Sequence, residues 1–484
     1  MTRDIHIRRW SSSRGDAYWS DIPKDPGYWL QEERSSAPRS PTTELIGDCE
    51  FDIVIVGGGF AGLWIAYFLA EASPDLRLAV VEASTCGSGA SGRNAGFVTG
   101  WWDELETLIG LYGPERALVA CKAIDKSINE IGEWCRAHEV NAWYRQGEYL
   151  AVGLPSESDQ LDDASVRTAA HLGSGDSLRL ISKDEVGRRI RSPLLGSGFR
   201  MPVAGTVHPA RLAGGIRRVL LEKGVTIYEN SPAVRLGAGS RVEVTTRLGR
   251  VRAPIGVVAM GAWGASLWPL RRLGVTMASY VVATEPVPEF LEEIGWVSGE
   301  CVCDLRKALH YFRTTPDGRI VFGGGATRAV RRNPRTVERS GASEAAVAEL
   351  RASITRFFPG LPNVRIVASW GGPVDFSPIH LPMVDSLIND HLYFVYGFSG
   401  NGVAPAHAVA RELVNRILGL GAKDTWVPNV GLLRRRFPVE PIRSFGVHMV
   451  QEALVRQERN QDNGKDSALL RSVISVPRHL GYHF

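Results

Sequence analysis

From about residue 50 onward the chain alternates short apolar runs with amphipathic stretches. FDIVIV, residues 51–56, has the pattern of a strand buried on both faces. The glycine cluster GGGFAG follows, then LWIAYFLAEA as a helix, then LRLAVVE over 76–82 as the next strand. Strand, helix and strand in about thirty residues make a βαβ unit. A long helix is predicted over 114–138, opened by Pro114, and a strand over 147–153. Ser182 and Glu185 have capping-box spacing. ARLAGGIRRVLLEKG and VTIYEN form a second helix–strand unit, and RVEVTTRLGRVRAPIGVVAMG reads as a hairpin followed by a buried strand. Residues 309–325 are a hairpin turning at Pro316-Asp317-Gly318. Ser343 caps a helix whose Val347, Leu350, Ile354 and Phe357 share one face. RIVASWGGPVDFS and LYFVYGF are strands, and SGNGV is a glycine loop entering a helix. Residues 1–49 read as an arm without a core of its own. Residues 437–484 supply one or two amphipathic helices, expected on the domain that the βαβ unit opens or on a neighbouring subunit rather than on a membrane surface.

Composition narrows this picture. A chain of 484 residues holds about two to four domains. Its net charge of +4 and the absence of a long basic run point away from nucleic acid. The six cysteines are scattered without zinc-ligand spacing, so no metal is expected and free thiols in a reducing cytoplasm are. Arg8-Arg9 is not followed by an apolar stretch, and no run of about 18 apolar residues occurs.

Gly57-Gly58-Gly59-Phe60-Ala61-Gly62 matches G-x-G-x-x-G. Gly57 permits the tight turn, Gly59 lets a pyrophosphate approach the backbone, and Gly62 lets helix and strand pack. The amides and dipole of the helix start favour phosphate. Glu82 follows Gly62 by twenty residues, where a carboxylate accepts from ribose hydroxyls. An acid there argues against a 2′-phosphate. The stretch GASGRNAGF, residues 89–97, comes next. A nicotinamide enzyme has no need of a second small-residue segment at this point. A bulky flavin that lies against backbone does, so FAD is the expected cofactor.

Four blocks, DIVIVGGGFAGLWIAYFLAE…VVE, GASGRNAGF, YFRTTPDGRIVFGGG and WGGPVDFSPIHLP…LYFVYGFSGNGV, carry a resemblance over residues 50–425. The chain resembles the D-amino-acid oxidase/glycine oxidase superfamily of FAD-dependent oxidoreductases, most of all its γ-glutamylputrescine oxidase-like bacterial branch. YWLQE and FPVEPIRSFG also resemble that branch. The resemblance implies an α/β fold: an FAD-binding Rossmann-like domain (50–100, 205–275 and 372–425) and a mixed-sheet α+β substrate domain (101–204 and 276–371). The arm 1–49 and the helical extension 426–484 flank them. It implies that Ala90, Ser91, Arg93, Asn94, Ala95 and Gly96 run along the flavin ring, Arg93 supplying positive charge and Asn94 ordering the loop. It places Val234 at the adenine side, Ala259 and Gly261 at a phosphate loop, and Gly400, Asn401, Gly402 and Val403 at a second flavin loop. Asn401 stands where relatives often carry histidine, and Ile379 where many carry an acid.

The implied chemistry is oxidation of a C–N bond, with hydride passing from the substrate Cα to the flavin, hydrolysis of the imine, and O2 reoxidising the flavin to give H2O2. Arg313 is expected to clamp an anionic group of the substrate, or else to fix the cofactor loop, and Tyr311 shares its face of the strand. Tyr144, Arg145 and Tyr149 border the neighbouring strand, where ordinary packing is the competing reading. His310 and His380 are expected to be structural. Two alternatives stand beside an oxidase: an amine dehydrogenase passing electrons to a quinone or protein carrier, and a flavin-binding protein without turnover.

Overall fold

The computed structural model describes residues 27–36, 38–155, 164–267, 270–306, 309–324, 328–329, 342–388, 391–420, 426–429, 431, 436–462, 467–480 and 482. The apolar run after residue 50 becomes the strand Ile53–Val56, all four residues buried. It sits inside a six-stranded sheet ordered Met383–Ile388, Leu392–Tyr396, Ile255–Val258, Ile53–Val56, Leu78–Val81, Thr226–Tyr228. Five of these strands are parallel, and Met383–Ile388 closes one edge antiparallel. Such strands are covered on both faces, which is why they are continuous apolar runs. The helices Phe60–Ala72 and Val403–Ile417 pack together on this sheet, with Trp64, Leu63 and Leu413 buried between layers.

A second, mixed sheet is built on Val275–Thr284, Ile320–Gly324, His310–Thr314, Cys301–Asp304, Arg145–Val152 and Gly198–Thr206 in that order. Ile366–Phe376 runs antiparallel to Val275–Thr284. This strand passes through residue 372, so the expected domain boundary there falls inside a strand of the second sheet. Under the sheet, the helix Glu344–Phe357 begins at its Ser343 cap and buries Leu350, Ile354 and Phe357 against Phe312 and Phe322. The Ser182 capping box is formed, Glu185 N–H donating to the Ser182 hydroxyl.

The N-terminal segment takes its packing from other elements: the helix Tyr28–Ser36 buries Trp29 and Leu30 completely among Trp370, Ala210 and Val281. The strand Gly47–Glu50 pairs in parallel with Gly249–Ala253 in a separate four-stranded sheet. At the other end, Ile442–Asp462 and Ala468–His479 pack on each other and beside the second sheet rather than on the flavin sheet. Phe437 and Tyr482, their rings 5.1 Å apart, cluster with Val275 and Met277.

Candidate active site

One cavity of about 960 Å³ runs between the two sheets and collects most of the residues expected from the sequence. The glycine turn after Ile53–Val56 brings Gly57, Gly59, Phe60 and Ala61 to its wall. Gly57 has φ +114°, and a Cβ there would lie 2.3 Å from the Ala259 carbonyl oxygen, so only glycine fits. Gly62 lies outside the cavity. A Cβ at that position would come within 2.0 Å of the Gly57 carbonyl oxygen, the helix–strand packing foreseen for it.

The Glu82 carboxylate accepts from Gly58 N–H at 2.7 Å and from Ser84 N–H at 2.9 Å, and it lines the cavity. Burial raises its pKa, against the pull of those two amides. Each carboxylate oxygen keeps a second lone pair for a ribose hydroxyl. Ala259 and Gly261 line the same end. Val234 does not: its N–H is taken by the Thr245 carbonyl, and Pro232 and Ala233 form the wall in its place. The expectation at this position is therefore displaced by one residue.

The GASGRNAGF stretch is held from all sides. The Ser91 hydroxyl accepts from Phe60 N–H at 2.8 Å, tying the loop to the helix start. Asn94 donates to the Ala90 and Ser91 carbonyls and accepts from Gly96 N–H, the ordering role expected of it. Ala90, Ser91, Arg93, Asn94 and Ala95 line the cavity. Gly96 does not line it, for at φ +82° it packs against the Val207 carbonyl, 2.0 Å from where a Cβ would stand. Arg93 is buried and donates to the Ser88 and Gly371 carbonyls. Three consecutive loop carbonyls each accept from a different element: Arg93 from the Trp370 indole at 2.7 Å, Asn94 from the Trp29 indole at 3.0 Å, and Ala95 from Arg313 Nε.

The last of these bonds corrects the substrate-clamp expectation. Arg313 is fully buried and absent from the cavity wall. Its other nitrogens donate to the Val207 carbonyl at 2.8 Å and the Thr314 carbonyl at 3.1 Å. Burial lowers its pKa to about 10. The guanidinium is spent on main chain, so Arg313 ties the 93–96 loop to its neighbours and presents no nitrogen to the cavity. Tyr311 does line the cavity, its hydroxyl 2.7 Å from that of Ser279. Burial pushes its phenol up to about 12, so it stays neutral.

Gly400, Asn401, Gly402 and Val403 form the far wall, Asn401 donating to the Gly100 carbonyl at 3.0 Å. Neither Gly59 nor Gly402 caps its helix with a side chain; at the first helix Ser91 takes the Phe60 N–H, and Ala61 and Val403 bring the two helix starts to the cavity wall. Asp375, which sequence reasoning missed, bridges to this loop by accepting from Gly397 N–H at 2.6 Å. Burial raises its pKa to about 6.

The polar end beyond the loops holds Asp103, Tyr149, Tyr311, Arg306 and His380. His380 Nδ1 pairs with Glu104 Oε1. Burial works against a charged imidazole there, but the Glu104 carboxylate outweighs it and the His380 pKa is raised. His380 also holds φ +60°, a costly conformation for this residue. His380 is thus hydrogen-bonded and also stands on the cavity wall. His310 is structural as expected, bonded to Asp304 and Ser353. Tyr144 and Arg145 are also committed to backbone, on the Ile128 and Val297 carbonyls.

Two helix starts at the cavity wall, a carboxylate at the second strand and a close-packed loop of small residues suit a dinucleotide with a large ring system. Comparison with known proteins agrees. The family model "DAO: FAD dependent oxidoreductase" matches residues 52–416, and the chain belongs to that family. Among its relatives is the probable oxidoreductase OrdL of Rhizobium meliloti, 28% identical over 82% of this chain and 90% of that protein. Another is the gamma-glutamylputrescine oxidoreductase of Escherichia coli, 27% identical over 81% of this chain and 88% of that protein. The crystal structure of glycine oxidase from Geobacillus kaustophilus superposes with a TM-score of 0.64 at 20% identity, covering 80% of this chain and 99% of that one. L-proline dehydrogenase from P. horikoshii gives 0.61 at 20% identity, covering 79% and 96%. The chain is thus an FAD-dependent oxidoreductase of mixed α/β fold. Among the described residues no helix is long and apolar enough to cross a membrane.

Proposed function

We propose that this oxidoreductase oxidises an amine that lacks an α-carboxylate, with O2 as the electron acceptor and H2O2 as the second product. One observation carries the choice of an amine over an amino acid. The polar end of the cavity is lined by Asp103, by His380 with Glu104 bonded behind it, and by the Tyr149, Tyr311 and Ser279 hydroxyls. Its arginines are engaged elsewhere: Arg306 bonds Asp304 at 2.8 Å and approaches His310, and Arg93 holds main-chain carbonyls. Asp103 on the wall, with Glu104 behind His380, favours a cationic head group, while among the described residues of this end a carboxylate finds no open guanidinium fork.

FAD, when bound, accepts the hydride. The chain's own residues supply the rest. An amine reacts only as the free base, because its lone pair must assist loss of the Cα–H. Glu104 fixes the His380 Nδ1 proton and leaves Nε2 with its lone pair, the atom that takes up the substrate's ammonium proton. Tyr311 and Ser279, neutral and mutually bonded, orient the amine nitrogen. The substrate leaves as an iminium ion, which water hydrolyses to a carbonyl compound and ammonia or a smaller amine.

The test is anaerobic addition of amines and amino acids to the purified flavoprotein, followed by air. Amines should bleach the flavin, and air should restore it with stoichiometric peroxide. Bleaching by amino acids alone would overturn the substrate reading. Slow recovery in air with fast recovery by a quinone would overturn the oxidase reading in favour of a dehydrogenase.

A further inference from the structure

The family match ends at residue 416 of 484, and the helices Ile442–Asp462 and Ala468–His479 lie beyond it. Their inner side chains nonetheless share the wall of the flavin cavity: Val450 and Leu454 from the first helix, Val473 and Ile474 from the second. The strand Val275–Thr284 measures how these helices relate to the reacting end. Its alternate residues Val281, Ser279, Met277 and Val275 all line the cavity. Val281 packs with Ala95 of the flavin loop, and Ser279 meets Tyr311. Met277 Sδ accepts from Gln451 of the first C-terminal helix at 3.5 Å, and Val275 packs against Phe437 and Tyr482. Four residue steps of strand take Ser279 to Val275, roughly 14 Å.

Along that distance the wall changes character. Carboxylates, hydroxyls and an imidazole stand at the flavin end, and aliphatic side chains from strand and cap at the other. Of the cap's polar lining residues, Gln451 is on Met277, Arg443 is held by Glu440 and the Gly274 carbonyl, and Arg478 stands exposed at the rim. Ile442, Met449, Val476 and Leu480 line the cavity yet are 62%, 45%, 46% and 47% exposed, so they form its apolar mouth.

We propose that the C-terminal helix pair is the wall of a binding site for an apolar substituent, and that the substrates are amines carrying an extended alkyl or arylalkyl chain. A chain spanning roughly 14 Å needs on the order of ten to twelve carbons, at about 1.2 Å per backbone bond. The inference rests on the amine reading above and adds the substrate's far end to it.

The experiment uses the FAD-loaded enzyme and n-alkylamines from two to fourteen carbons. The expected result is a kcat/KM that climbs by about fourfold per methylene buried and levels off near ten to twelve carbons. Alkyltrimethylammonium ions have no lone pair and cannot be oxidised, so calorimetry with them reads binding alone. Their dissociation constants should follow the same slope. Ile474→Asp should cut the decylamine-to-ethylamine ratio of kcat/KM by at least tenfold. Val450→Asp should do the same if the first variant does not fold. Ethylamine and decylamine turned over alike, with no slope in calorimetry, would overturn the inference and leave the amine reading standing. No flavin reduction by an amine of any length would instead overturn the amine reading, and the inference with it. A length dependence seen only with quinones in the reoxidation step would assign the corridor to the electron acceptor and also overturn the inference.

Discussion

Replacing Arg313 by lysine separates a substrate clamp from a loop anchor. The native guanidinium is fully buried, gives its nitrogens to the Ala95, Val207 and Thr314 carbonyls, and lies 5.3 Å from the Trp29 ring centre. Lysine keeps the charge but loses the planar fork, so one ammonium cannot span three carbonyls on three segments. Each hydrogen bond to a charged group contributes about 1.5–3 kcal/mol. Losing two of three costs about 3 kcal/mol at the low end, with the charge still buried. If that cost falls on the order of the 93–96 loop, FAD affinity drops on the order of a hundredfold, since about 1.4 kcal/mol is a factor of ten. The assay is reconstitution of apoprotein with FAD, followed by flavin fluorescence, beside a thermal melt and steady-state kinetics on FAD-saturated enzyme. The expected pattern is weaker FAD binding and a lower melting temperature, with KM for a good amine nearly unchanged once FAD saturates. A KM raised tenfold or more, with FAD affinity and melting temperature intact, would refute this assignment and restore Arg313 to the substrate.

Glu82→Ala should weaken FAD binding by about 1.5–3 kcal/mol, the range for bonds to a charged group, read by the same reconstitution. Gly96→Ala should abolish FAD retention or folding, because a methyl would sit 2.0 Å from the Val207 carbonyl oxygen at φ +82°; a variant that keeps its flavin contradicts this. His380 acts as a base only when neutral, so kcat/KM should fall as pH drops through a value above the ordinary one of about 6.5. Glu104→Gln removes the carboxylate that raises that value and should shift the limb to lower pH, whereas an unmoved limb takes His380 out of the proton path. Burial acts to raise the Glu32 carboxyl, yet its bonds to His208 and Arg211 hold it at about 2. That contribution to docking of the N-terminal helix is present above the unfolded value of about 4.3 and is lost as pH falls towards 2. Trp29 fluorescence should report it, and Glu32→Gln should flatten the acid dependence.

The nucleotide unit was legible because its constraints are local. A buried parallel strand must be an apolar run, a turn against phosphate must be glycine, and Glu82 follows from the length of one helix and one strand. GASGRNAGF was legible for a similar reason, since small residues in series mean close approach. Arg313 was not, because its role depends on which carbonyls come to lie around it, and Ala95 and Val207 are more than a hundred residues away. Trp29 sat in a segment with no apolar periodicity because its core is supplied by Trp370, Ala210 and Val281 from elsewhere. Val234 missed by one residue, since the position of a turn relative to a cavity depends on hairpin register. The C-terminal helices showed an amphipathic pattern, but a pattern does not say which sheet the apolar face meets.

These non-local contacts share a cause. The 93–95 segment has neither helix nor sheet partners for its carbonyls, and a buried carbonyl without a donor is costly. Small residues that leave room for a flavin cannot reach back to satisfy it. The donors must therefore be long side chains from elsewhere, and they are two indoles and a guanidinium, from Tyr28–Ser36, Ile366–Phe376 and His310–Thr314. The loop proposed to receive the cofactor is thus also where the N-terminal helix, the second sheet and the six-stranded sheet are joined. Whatever orders the loop favours docking of Trp29, and docking of Trp29 favours the ordered loop. By linkage, FAD binding and attachment of the N-terminal helix must strengthen each other by the same factor.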